Sequence, residues 1–222
     1  MNWQGVAYTL IGLLIGVVLH EYMHGRVADR LGDHTARNAG RLTLNPVPHL
    51  DPIGTVLLPI GLALISRGQF TFGYAKPVPV NPFFMKKPRE GMVLTALAGP
   101  ATNFTVAVIV TAVGVGLRLG LHLQFSSVNP SQVQSGAAWV DFMLLLFYIA
   151  AINIFLGVFN LIPVPPLDGS HVLQYFLSPR AQETYQAYGR YGFVLVFILV
   201  YFLGSAIFGP IQNLLYRFIF GL

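Results

Sequence analysis

His20-Glu21-Tyr22-Met23-His24 sets two imidazoles and a carboxylate in the H-E-x-x-H pattern. On a helix, residues i and i+4 share a face, so both imidazoles reach one ion while Glu21 stands beside a water on that ion. The chemistry is that of zinc, structural if four protein groups bind it and catalytic if three do and water takes the fourth position. Residues 5–19 carry no charged side chain, so the motif closes an apolar run. Ionisable groups at membrane depth are costly unless they bind something, and such a cluster reads as a functional site. The rival reading, two core histidines satisfied by backbone or water, needs a chance motif in the last turns of a membrane helix.

A second polar cluster lies far along the chain, at Asn160-Leu161-Ile162-Pro163-Val164-Pro165-Pro166-Leu167-Asp168-Gly169. Its prolines end a helix and leave backbone carbonyls free, which at membrane depth is tolerated only where protein or water covers them. A carboxylate at Asp168 can complete a His-His-Asp set with one position open to water. Taken alone, Asp-Gly is ordinary turn chemistry.

The elements that must hold these groups are membrane spans. The chain is 55% hydrophobic and only 9% charged, with a mean hydropathy of +0.64. A soluble domain carries about 25% charged residues, so this is an integral membrane protein. Apolar stretches at residues 3–26, 91–117, 137–160 and 191–208 are each long enough to cross. Residues 53–65 are short and broken by Gly54, Pro59 and Gly61, which suits a re-entrant segment. Residues 206–222, interrupted by Gly209-Pro210, form an interfacial helix or a further half-span. The expectation is an all-α polytopic protein of about 4–6 transmembrane helices, with a short re-entrant or β-like segment between the first and second full spans. No internal repeat or low-complexity linker divides it, so residues 1–222 read as a single domain.

Loop charge orients the spans. Residues 25–52 carry Arg26, Arg30, Arg37 and Arg41, and residues 66–90 add Arg67, Lys76, Lys86, Lys87 and Arg89. Residues 119–136 have neither Lys nor Arg. The positive-inside rule then puts the first two segments in the cytoplasm, provided residues 53–65 do not cross. On that parity the first and third spans run the same way, and both polar clusters meet near the cytoplasmic side. The net charge of +5 sits in these short loops, so it anchors spans and is no nucleic-acid footprint. Cysteine is absent, which leaves His, Asp and Glu as metal ligands. The first apolar run lacks a basic leader and carries the motif, so it is not read as a cleavable signal peptide.

The chain resembles the site-2 protease family of intramembrane zinc metalloproteases. The likeness rests on His20-Glu21-x-x-His24, on Gly99-Pro100-x-x-Asn103, and on Asn160-x-x-Pro163-x-x-Pro166-Leu167-Asp168-Gly169. The stretch Asn45-Pro46-x-x-His49-x-Asp51-Pro52-x-Gly54-Thr55 is similar to the compact prokaryotic branch without a PDZ domain. The resemblance covers roughly residues 5–175. It implies a zinc ion, one per chain, held by His20, His24 and Asp168, with Glu21 as general base. It also implies substrates with a transmembrane segment, cut within or near it, by a multi-pass protein of the cell membrane. Zinc in such a site acts as a Lewis acid and activates water.

Other residues take lesser parts. Asn103 and Asn160 are candidates for binding substrate backbone, against rival roles in an interhelical bond and a helix end. A helical substrate must unwind before its carbonyl is open to attack, and Phe70-Thr71-Phe72-Gly73-Tyr74 is either a strand edge to hold it extended or a plain cytoplasmic hairpin. His171 is a substitute ligand or a polar residue at a helix start. His49 and Asp51 are a second metal pair or a turn. Two further functions compete with proteolysis, a zinc or proton transporter and a non-proteolytic scaffold. Transporters usually show repeated halves, which this chain lacks.

Overall fold

The computed structural model describes residues 3–65, 73–123 and 138–221. Every regular element among them is helical. Helix α1 (Trp3–Arg30) leads to α2 (Thr35–Asn38), a 3₁₀ turn at Val47–His49, a π-helical turn at Pro52–Leu57 and α3 (Leu58–Ile65). Then come α4 (Pro88–Gly120), α5 (Ala138–Asn160), α6 (Gly169–Phe176), α7 (Pro179–Tyr188) and α8 (Gly192–Leu215), which runs on into a π turn at Tyr216–Phe220.

Three helices are long and apolar enough to cross a membrane: Gln4–Arg30, Pro88–Gly120 and Ala138–Asn160. A fourth candidate is the pair Val194–Phe202 and Gly204–Phe220, bent by 50°. A helix satisfies its own backbone and is therefore the form an apolar span must take in lipid. Three of the four spans expected from hydropathy are these three helices; the bent pair is the candidate for the fourth, and the tail from 206 onward lies in its second helix. Residues 52–65 make one π turn and one short helix, less than a crossing needs. The strand expected at residues 70–74 lies mostly outside the described residues. Gly73 and Tyr74 open an irregular run that continues to Asn81.

α1, α4 and α5 pack on one another and form the bundle that carries the site. Close approach of α1 to α5 depends on Gly12 and Gly16, one helical turn apart. A Cβ on Gly12 would lie 3.2 Å from the Ile149 Cα, and one on Gly16 would lie 2.8 Å from a Leu156 methyl. Small residues at this spacing let membrane helices meet backbone to backbone. On the far side of α5, Met143, Phe147 and Ala150 are buried against Leu215, Ile219 and Phe220. The Phe147 and Tyr216 rings pack there at a tilt of 30°, with centroids 4.4 Å apart.

The C-terminal end of α1 is tied to the loop that follows it. Buried Asp29 pairs with Arg37 at 2.5 Å and His34 at 2.8 Å. Fully buried Asp33 accepts from the Thr35 amide at 3.0 Å and from the Asn81 amide at 2.6 Å. These bonds bring residues 73–81 back over the end of α1, beside the motif.

Candidate metal centre

His20 and His24 are buried, on one face of α1, with ring centroids 4.5 Å apart and planes at 86°. Asp168 reaches them from the start of α6, where Gly169 fits against the Leu161 and Ile162 carbonyls with no room for a Cβ. Its Oδ2 lies 3.1 Å from His20 Nε2 and its Oδ1 lies 3.3 Å from His24 Nε2. Among the described residues these three form the one group able to hold a metal, their ligand atoms all within 4.8 Å of one another.

The opposite nitrogen of each imidazole is engaged. His24 Nδ1 lies 2.6 Å from the Thr95 carbonyl, which can only accept, so Nδ1 carries the hydrogen. His20 Nδ1 lies 2.6 Å from Asn103 Oδ1 and donates in the same way. In the neutral rings both Nε2 atoms then present lone pairs toward Asp168. Asp168 Oδ2 is buried without a hydrogen-bond partner. Lone pairs of three groups converging at this range repel unless a cation stands among them, and two nitrogens with a carboxylate oxygen are a donor set suited to zinc.

Space for the cation is kept by α4. A Cβ on Gly99 would fall 2.5 Å from His20 Cε1 and 2.5 Å from His24 Nε2. The α4 backbone therefore lies directly against both rings, which only glycine permits.

Glu21 faces a different partner. Its Oε2 accepts the Val78 amide at 2.8 Å, so the irregular run 73–81 orients the carboxylate. That run is itself bracketed. Tyr74 N–H donates to the Gly54 carbonyl at 3.0 Å, Lys76 N–H to the His49 carbonyl at 3.0 Å, and Arg41 to the Lys76 carbonyl at 2.6 Å.

Asn103 has no exposed surface, and its amide is spent within the bundle. Its Oδ1 meets His20, while its Nδ2 donates to the Gly16 carbonyl at 3.1 Å and to Asn153 Oδ1 at 2.9 Å. Asn160 lines the cavity beside the ligands and donates one amide hydrogen to the Leu156 carbonyl at 2.9 Å. His171 also lines that cavity, outside the group of three. Burial holds its imidazole below the ordinary value; the Asp168 carboxylate opposes this and His24 adds to it. His49 is buried with Nε2 on the Thr43 carbonyl, and Asp51 accepts from the Ile53 and Gly54 amides at the start of the π turn. Both do turn chemistry there.

The cavity has a volume of about 1450 Å³ and reaches from the ligands along α1 to α8. Leu13 and Val17 of α1, Phe155 of α5, and Tyr201 and Ser205 of α8 are among its walls. Sequence reasoning passed over Asn153, Thr95 and Val78. An Asn well inside the apolar run 137–160 was a usable signal for the first, whereas backbone partners such as Thr95 and Val78 leave none.

Helices of this length, around a His-His-carboxylate group with a glutamate beside it, define a membrane-embedded site of hydrolase type. A sequence profile of peptidase family M50 matches residues 8–203, and the chain belongs to that family. It is 36% identical to YwhC of Bacillus subtilis, provisionally named a zinc metalloprotease, over 93% of this chain and 86% of that one. It is 30% identical to Rip2 of Mycolicibacterium smegmatis, also provisionally so named, over 90% of this chain and 69% of that one. Zinc metalloprotease MJ0392 of Methanocaldococcus jannaschii is 26% identical over 78% of this chain and 35% of its own length. No solved structure matches the chain.

Proposed function

We propose that this M50 peptidase is a zinc endopeptidase that cuts membrane proteins within or near a transmembrane segment. The observation that carries the reading is the meeting of His20, His24 and Asp168 beside Glu21, at the end of a large, mostly apolar cavity. His20, His24 and Asp168 would hold one Zn²⁺ per chain. The metal supplies Lewis acidity and makes water a usable nucleophile near neutral pH. The names of YwhC, Rip2 and MJ0392 support the same metal and the same reaction.

Glu21 acts as general base and then general acid. It takes the proton from the attacking water and returns it to the amide nitrogen as the peptide C–N bond breaks. The Val78 amide keeps its Oε2 turned to the work. We assign the second amide hydrogen of Asn160 to a substrate carbonyl. Asn103, which we also keep among the site residues, serves the substrate indirectly, through His20. The apolar walls suit a helical segment entering from the bilayer, loop charge supports an active site toward the cytoplasm, and the bacterial and archaeal relatives support a prokaryotic cell.

The test is zinc content and cleavage in detergent-purified wild type, Asp168→Ala and Glu21→Gln proteins. We expect one zinc per chain in the wild type and in Glu21→Gln, and a loss of zinc in Asp168→Ala. Cleavage of a transmembrane substrate should fall about 10²–10⁴-fold in Glu21→Gln. A well-folded wild type that takes up no zinc sinks the reading. Zinc flux that survives in Glu21→Gln would instead favour a transporter.

A further inference from the structure

We infer that Asn153 fixes which nitrogen of His20 faces the metal position, acting through Asn103, so that both amides are positioning residues for the ligand set. The inference rests on the zinc reading above. Asn103 and Asn153 have no exposed surface and sit in apolar helices, where a primary amide is costly unless its partners are fixed. Here each partner is fixed, and the sequence of bonds has one direction.

The chain begins at a group with no choice. Asn153 Nδ2 lies 2.8 Å from the Ile149 carbonyl, which can only accept. Asn153 must therefore turn its Oδ1 to Asn103, and that oxygen receives Asn103 Nδ2 at 2.9 Å. The other hydrogen of Asn103 Nδ2 goes to a second obligatory acceptor, the Gly16 carbonyl, at 3.1 Å. Both amide hydrogens are then used, so only Oδ1 of Asn103 is left to meet His20 Nδ1, at 2.6 Å. An acceptor at that place requires the imidazole hydrogen on Nδ1 and leaves the Nε2 lone pair toward Asp168, 3.1 Å away.

The rival arrangement shows why this matters. Were Asn103 turned over, its NH₂ would face Nδ1 and move the imidazole hydrogen to Nε2. An Nε2–H donates to Asp168 and cannot ligate a metal. Two acceptors from two different helices, Gly16 of α1 and Asn153 of α5, exclude that flip. His24 needs no such device, because its partner is a main-chain carbonyl. His20 is held by a side chain that could be reversed, and Asn153 adds to Gly16 the second acceptor that keeps it from reversing.

The experiment is zinc affinity of the full chain in detergent, by competition with a chromophoric chelator. Asn153→Leu should weaken zinc about 10–100-fold, the range for losing an outer partner of a metal-bound histidine. Ring-nitrogen NMR shifts of His20 in the zinc-free protein give the second readout: the hydrogen on Nδ1 in the wild type, and a share of it on Nε2 in Asn153→Leu, where one of the two acceptors that hold Asn103 is gone. Interhelical packing alone predicts weaker zinc with the tautomer unchanged. Unchanged affinity in Asn153→Leu, or an unchanged tautomer, overturns the inference. Should Asn153→Leu not fold, Asn153→Ala with the same two readouts decides it, and unchanged values there overturn the proposal. A wild type without zinc overturns the ligand reading and this inference together, whereas equal affinity in wild type and variants removes this inference alone.

Discussion

At the scale of single residues, the site is built as much by an absent side chain as by those present. Gly99 brings the α4 backbone against both imidazoles, and a methyl group there would stand 2.5 Å from ring atoms of each. Gly99→Ala must push the rings outward or displace α4, and either opens the ligand triangle. We expect zinc affinity to fall at least about tenfold with the helices intact by circular dichroism. Wild-type zinc binding in that variant would mean the rings tolerate the intrusion, and that Gly99 is there for packing. The residues to which we assign the chemistry were legible from sequence because their types are rare in an apolar chain: His20, Glu21, His24 and Asp168 each stand out from their neighbours. Asn103 stood out too, but its partners did not. Oδ1 on His20 and Nδ2 on Asn153 are relations among three helices, and spacing along one helix does not reveal them.

At the scale of elements, the spans were legible and their connections were not. Hydropathy is a local sum, so four apolar stretches predict four spans and the 50° bend merely joins the tail to the last one. The irregular run 73–81 has no such signature. Its course is set by distant partners: Gly54, His49, Arg41, Asp33 and Glu21. The motif that contains His49, Asp51 and Gly54 therefore acts as a bracket. Asp51 starts the π turn, the turn presents the Gly54 carbonyl, and the bracketed run delivers the Val78 amide to Glu21. Val78→Pro removes that one donor from an irregular run that already contains Pro77 and Pro79. Zinc should remain, since no ligand is touched, while kcat should fall by up to about 10²-fold as the base loses its alignment. Steady-state cleavage beside zinc analysis measures both. An unchanged kcat would show that Glu21 finds its geometry without the bracket.

At the scale of the molecule, α1, α4 and α5 make a core, and α8 packs on α5 while standing off from α1 across the cavity. The core is locked by glycines and buried amides, Gly12 and Gly16 with the Asn103–Asn153 pair against Gly16. α8 touches mainly α5 and the terminal turns, so the space between α1 and α8 stays open down to the ligands. A substrate helix arriving from lipid needs that space, whereas a short extended peptide needs only the end near Glu21. Ser205 lines the α8 wall and is none of the proposed ligands, and a tryptophan there would fill part of the passage. Ser205→Trp should keep one zinc per chain and still cut a short soluble peptide. Cleavage of a transmembrane substrate should drop by more than about tenfold, an effect on access and not on the chemical step. The two substrates assayed side by side separate the outcomes. Parallel loss on both would mean that the substitution disturbs the site itself, and no loss on either would mean that helices reach Glu21 by another route.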